Sequence, residues 1–143
     1  MSYSTIDEIK KRISSQLLLQ ITTESKSETV INEVIVETAI LDADTLIDSY
    51  LERRYNVPVD PVPARLLKLS CDIAIYNIYT FKYDTQVPEE IRKRYDEAVG
   101  YLEKIQQGDI FIKDAESLSE LIILTNKEDQ LSYYDEEILD QII

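Results

Sequence analysis

Histidine is absent from these 143 residues. Its absence removes the side chain that most often serves as general base or metal ligand near neutral pH, and with it every Ser-His and Cys-His nucleophile pair. Tryptophan is also missing, and cysteine occurs once, as Cys71. No disulfide within the chain and no paired-cysteine zinc site can form. Cys71 lies in an apolar run, the setting of a buried and inert thiol. Only two glycines and four prolines are present. So few glycines provide for few tight turns, which argues against a many-stranded sandwich or barrel. They also leave no Gly-rich loop to cradle a phosphate, and no P-loop or calcium-loop pattern occurs. No cofactor is therefore expected. No apolar run approaches the roughly 20 residues that a membrane-crossing helix needs. The first residues lack a signal-peptide pattern, so assembly in a cytosol, away from any membrane, is expected.

What is abundant is acid. Twenty-eight Asp and Glu face 15 Lys and Arg, for a net charge of −13. Residues 114–143 hold nine of the acids (Asp114, Glu116, Glu120, Glu128, Asp129, Asp135, Glu136, Glu137 and Asp140) against Lys127 alone. That is −8 on the last segment and −5 on residues 1–113, so the chain reads as a moderately charged body with an acidic C-terminal arm. A duplex carries one negative charge per ~1.7 Å of axis, so the protein should not grip a DNA backbone by charge. At 44% apolar residues the composition is that of a folded domain. A chain of this length buries roughly two-thirds of its unfolded surface, enough for one ordinary core.

The apolar residues recur at helical spacing. Ser4 is a candidate cap for a first helix, with Ile6, Ile9, Ile13 and Leu17 as its stripe. Residues 22–29 are polar and aperiodic, and Thr29 could cap a second helix. Its inward stripe would run Ile31, Ile35, Ala39, Ala43, Ile47, Tyr50, Leu51 and Arg54. Pro58, Pro61 and Pro63 end that helix. Asp60-Pro61 then gives a start signal for a third helix over 61–83. This helix is apolar nearly all round and should lie at the centre. Pro88, Glu89 and Glu90 open a fourth helix, whose stripe Ile91, Tyr95, Ala98, Leu102 and Ile105 alternates steps of four and three before Gly108 stops it. The expectation is an all-α compact bundle of about four helices around the 61–83 helix, with a helical domain over 1–109 and the acidic arm over 110–143. Ile110-Phe111-Ile112 looks like a short extended segment.

Candidate sites are few. Asp44 and Asp48 are four apart and share a helix face, and Asp72 lies in the central helix. A metal or acid–base site could be drawn from them. The plainer reading is structural, with Asp72 pairing with Arg54 or Arg65. Lys10-Lys11-Arg12 and Arg92-Lys93-Arg94 lie off the apolar stripes, as solvated faces do, or as surfaces for a neighbour's acids. Candidate partner-contact residues are Ile110, Phe111, Ile112, Tyr133, Tyr134, Ile138, Leu139, Ile142 and Ile143, apolar positions set among acids. An acidic helical chain could alternatively mimic DNA in a nucleic-acid-binding groove. That role calls for carboxylates spread over the folded body, whereas most of the net charge here sits on the arm.

One ordered set of residues carries a resemblance: Ala43-Asp44, Ile47-Asp48-Ser49-Tyr50-Leu51, Arg54-Tyr55, Pro58, Pro61-Val62-Pro63, Leu66, Leu69, Asp72-Ile73-Ala74, Tyr76, Tyr79, Val87-Pro88-Glu89 and Arg94-Tyr95. It resembles the Mu-like prophage family of small virion proteins, similar in design to the head–tail adaptor rings of other tailed phages. The likeness runs from about Ser4 to Ile112, and the acidic extension beyond departs from it. The resemblance implies a non-enzymatic virion protein, assembled in the bacterial host cytoplasm. It implies a head-completion ring of about twelve copies, joined by heterologous contacts. The partners would be the portal protein and tail-side connector proteins, with DNA passing through unbound past a lumen of carboxylates. The arm would be a docking strap.

Overall fold

Residues 2–82, 86–113 and 115 are described by the computed structural model. They form five helices and no strand: α1 (Ile6–Lys10), α2 (Ser15–Thr22), α3 (Glu33–Leu51), α4 (Ala64–Thr80) and α5 (Glu89–Gln107). The all-α class read from the sequence holds. The most extensive packing is of α3 on α4, followed by α4 on α5 and α3 on α5, with α1 and α2 laid against this group of three.

The first helix is broken where a single one was expected. Ile9 and Ile13 of the expected stripe are buried, but the Ser14 hydroxyl accepts from the Leu17 N–H at 3.2 Å and starts α2 afresh, with Leu18 and Ile21 rather than Leu17 on its buried face. A serine that bonds the backbone ahead of it competes with the helix it would otherwise extend. The cap of α1 is Thr5, not Ser4. Ser4 is buried instead, its hydroxyl 2.7 Å from that of Ser70 on α4.

α3 begins after Asn32, three residues later than a Thr29 cap would give, and Asn32 makes no side-chain capping bond. The buried face is correspondingly turned from the expected stripe. Val36, Ala39, Ile40, Ala43, Ile47 and Leu51 are buried, Ile35 is only partly so, and Ile31 precedes the helix. Arg54 lies beyond its end and is exposed.

α4 spans Ala64–Thr80 rather than 61–83, and Pro63, not Asp60, stands at its N-cap. The physical reason is Pro63 itself, whose ring pushes Val62 out of helical backbone space, so no helix can run through that pair. The peptide bonds before Pro58 and Pro61 are cis. The central placement of α4 is as expected. Ser70, Cys71, Asp72, Ile73, Ala74 and Ile75 are all buried in succession. Six consecutive residues at 3.6 per turn cover more than a full revolution, so α4 is enclosed on every side at that level. The Asn77 amide donates to the Ala39 carbonyl at 3.2 Å, tying α4 to α3. Tyr76 stacks on Tyr95 with centroids 4.0 Å apart, tying α4 to α5.

α5 follows its pattern closely. Ala98, Leu102 and Ile105 are buried, and Ile91 and Tyr95 are half-buried against the core. Gly108 ends it in left-handed backbone with φ 86°. The Gly108 N–H donates to Ile105 and the Asp109 N–H to Lys104 at 2.9 Å, the paired closing bonds of a Schellman stop. Ile110 to Ile112 form no strand. Instead the Ile112 N–H donates to the Tyr55 hydroxyl at 2.9 Å, laying the chain back over the end of α3.

Candidate interaction surfaces

The carboxylates that might have made a reaction centre have structural partners. The Tyr3 N–H donates to Asp44 at 3.0 Å and the Tyr3 hydroxyl donates to Asp48 at 2.5 Å. That hydroxyl also accepts from the Val59 N–H at 3.0 Å. One tyrosine thus pins the start of the chain to both α3 acids and to the proline-rich segment before α4. Burial of Tyr3, reinforced by its bond to Asp48, pushes its phenol far above the ordinary range, so it stays a donor at all working pH. Burial also pushes the Asp44 carboxyl up, against the opposing pull of the Tyr3 N–H. Its second oxygen is buried without a hydrogen-bond partner, so nothing at that atom offsets the desolvation. Cys71 is fully buried, and that burial raises its thiol.

Asp72 pairs with neither arginine expected of it. Its carboxylate is 2.7 Å from the Lys68 ammonium, one turn earlier on the same helix. Arg65 lies seven residues back, and its guanidinium sits 4.8 Å over the Tyr101 ring of α5. Arg54 donates through Nε to the Gln106 carbonyl at 2.6 Å, where α5 presents its negative dipole end. The four-residue spacing of Lys68 and Asp72 was visible in the sequence. Among the described residues no group of three or more acids or cysteines is placed to hold a metal ion.

The two basic runs differ. Lys11 and Arg12 both bond Glu8, at 2.8 and 2.9 Å, and together hold that carboxyl below its usual range. Arg92, Lys93 and Arg94 are exposed on α5, and none of them makes an ion pair with a described residue.

The contact candidates after α5 separate by burial. Ile110 and Ile112 are half-buried against the core, whereas Phe111 is 76% exposed. Tyr133, Tyr134, Ile138, Leu139, Ile142 and Ile143 lie outside the described residues. The structure adds a surface that sequence reading missed. Opposite its buried face, α3 carries Val34, 70% exposed, and Leu41, 62% exposed, with Val30 exposed just ahead of the helix. Thr38 and Thr45 lie along the same line, and their hydroxyls donate back to the carbonyls of Val34 and Leu41 at 2.8 and 2.9 Å. With its hydroxyls engaged, the line is apolar in effect. Beside it an open groove of about 460 Å³ runs between the first residues and α3, with Ile6 and Ile40 in its walls and Glu33 and Glu37 along its edge.

Residues 3–120 match the model of the family described as Bacteriophage Mu, Gp36. The chain belongs to the bacteriophage Mu Gp36 family. All five helices fall within the matched region, which reaches eight residues past the Ile112 limit expected from the resemblance, into the acidic arm. The Mu-like prophage FluMu protein gp36 of Haemophilus influenzae is 32% identical over 108 residues, covering 76% of this chain and 73% of that protein. Gene product J of Escherichia phage Mu is 27% identical over 108 residues, covering 76% and 74%. The helical Gp36 body is thus that of a phage protein, and no helix among its described residues is long and apolar enough to cross a membrane.

Proposed function

We propose that this Gp36 chain is a non-enzymatic component of the connector between a phage head and its tail, carried in the virion. The observation that bears most weight is the family match over residues 3–120. It joins the likeness of the Asp-Ser-Tyr-Leu, three-proline and Asp-Ile-Ala segments to the Mu-like small virion proteins, which are similar in design to head–tail adaptor rings. The residue chemistry supports the reading. Asp44 and Asp48 of α3 bond Tyr3 and Asp72 of α4 bonds Lys68, so these three acids hold the fold together. Exposed apolar side chains on α3 and at Phe111 suit protein contacts instead.

In this reading copies of the chain form a ring against the portal protein, tail-side connector proteins join its other face, and DNA passes through the lumen without specific binding. A chain of net charge −13 repels a duplex and lets it slide. The arm beyond residue 113, with Tyr133, Tyr134, Ile138, Leu139, Ile142 and Ile143 spaced among acids, is the strap that docks on a neighbouring subunit.

Deleting the gene from its phage tests the connector role. The expected result is an accumulation of DNA-filled heads beside free, complete tails, with both restored to joined particles by the wild-type gene in trans. Normal tailed particles lacking this chain would overturn the reading, as would a catalytic turnover by the purified protein.

A further inference from the structure

We propose that the outward face of α3, together with the groove beside it, docks a helix of a different virion protein, one whose apolar stripe is flanked by Lys and Arg. The inference rests on the connector reading for its setting, the assembled particle, but its grounds are the surface itself.

The face has the form that a helix packs against. Val34, Thr38, Leu41 and Thr45 follow one another at steps of four, three and four, an exposed line about 16 Å long at 1.5 Å per residue. Such a row is the ridge that seats in the groove of a second helix. A strand has no place here, because the backbone of α3 is bonded within its own helix and offers no edge to extend. The two threonine hydroxyls already donate to Val34 and Leu41, so an apolar stripe laid over them strands no donor. The borders are acidic. Glu33 and Glu37 are exposed on one side of the line and Asp42 on the other, and α3 contains no Lys or Arg from Glu33 to Leu51.

The groove adds to the demand for a cation. Ile6 and Ile40 give it apolar walls, and Asp7, Glu33 and Glu37 line it against Lys10 alone. That combination suits a Lys or Arg side chain, whose methylene stem lies on apolar surface while its charged head stays among carboxylates. The chain's own surfaces do not meet the demand. Two α3 faces laid together would set their carboxylates against each other. Lys11 and Arg12 are taken up by Glu8. Arg92, Lys93 and Arg94 stand between Glu89-Glu90 and Asp96-Glu97, four acids against three bases. Residues 114–143, with nine acids and one base, would be repelled. The complement in charge therefore comes from another protein, and charge of opposite sign on both flanks fixes which helix fits and in what register.

Photo-cross-linking in assembled particles reads the contact directly. A benzophenone amino acid replaces Leu41 in the full-length chain, and purified particles are irradiated. Position 41 is exposed, so the fold is retained, which circular dichroism checks. Thr45, at the end of the line, takes the probe instead if its bulk at 41 keeps the chain out of particles. The expected product joins this chain to a different protein, at a helical segment with Lys or Arg on both sides of the joined residue. A product joining two copies of this chain would overturn the proposal, as would a join to an acidic segment or to DNA. Particles that contain the chain but give no product at either position would also overturn it, while leaving the connector reading in place. Wild-type particles without the chain would bring down both. As a second measurement, Glu37→Lys with Asp42→Lys should lower the yield of that product, per particle, about tenfold or more. An unchanged yield would overturn the charge pairing.

Discussion

Ile73 on α4 and Leu41 on α3 are both aliphatic residues in long helices, yet one is wholly buried and the other is 62% exposed. α4 is enclosed all round at its middle, so the apolar side chains from Cys71 to Ile75 are spent on the fold. α3 buries one face on α4 and leaves a second apolar line uncovered. The difference separates two uses of hydrophobic surface in one small protein. Large apolar groups scattered on a surface need no explanation, but a line of them at helical spacing on one element, with its threonine hydroxyls turned inward, marks a place for another protein.

The comparison breaks most visibly if the α4 side is wrong. Ile73→Ala should cost about 2–5 kcal/mol, because a cavity opens where neighbours cannot collapse. Urea titration should show the midpoint falling with unchanged slope. A loss under about 0.5 kcal/mol would mean that α4 is not the centre.

Gly108→Ala comes next, with an expected cost of about 1–2 kcal/mol for a side chain in left-handed backbone. An added Cβ would also stand 2.9 Å from the Arg54 guanidinium, and would dislodge it from the end of α5. Thermal unfolding measures this, and a neutral result would contradict the Schellman stop.

Asp44 sharpens the comparison through pH. Burial raises its carboxyl in the fold, so the folded chain keeps a proton that the unfolded chain releases. Stability from this group therefore falls as pH rises from the ordinary Asp value through the folded value. Asp44→Asn carries no charge and keeps an oxygen for the Tyr3 N–H. Its stability relative to the wild type should be more favourable at pH 7 than at pH 4. A difference that does not change with pH would contradict a buried, raised carboxyl. The smallest effect on folding belongs to Leu41→Asp, expected within about 0.5 kcal/mol of the wild type.

How much of this was legible in sequence depended on distance along the chain. α5 was read almost whole, since Ile91, Tyr95, Ala98, Leu102 and Ile105 mark its face and Gly108 its end, all within one local pattern. The centrality of α4 followed from its lack of a polar side. The break between α1 and α2 did not show, because the apolar period runs through it and only the Ser14 bond to Leu17 reveals the restart. The Tyr3 bonds could not be foreseen from spacing, with partners 41 and 45 residues away. Asp72 was assigned to remote arginines when Lys68, four residues off, was the nearer base. The outer line of α3 escaped because Val34 and Leu41 lie off the stripe read as inward, and only the packed neighbours of α3 show which face is left over.

Complementation of a gene-deleted phage by Leu41→Asp tests most directly whether surface, rather than a reaction centre, carries the function. The variant should unfold at the wild-type temperature yet leave heads and tails unjoined, with infectious titre down by orders of magnitude. A full titre from the folded variant would contradict a docking role for α3.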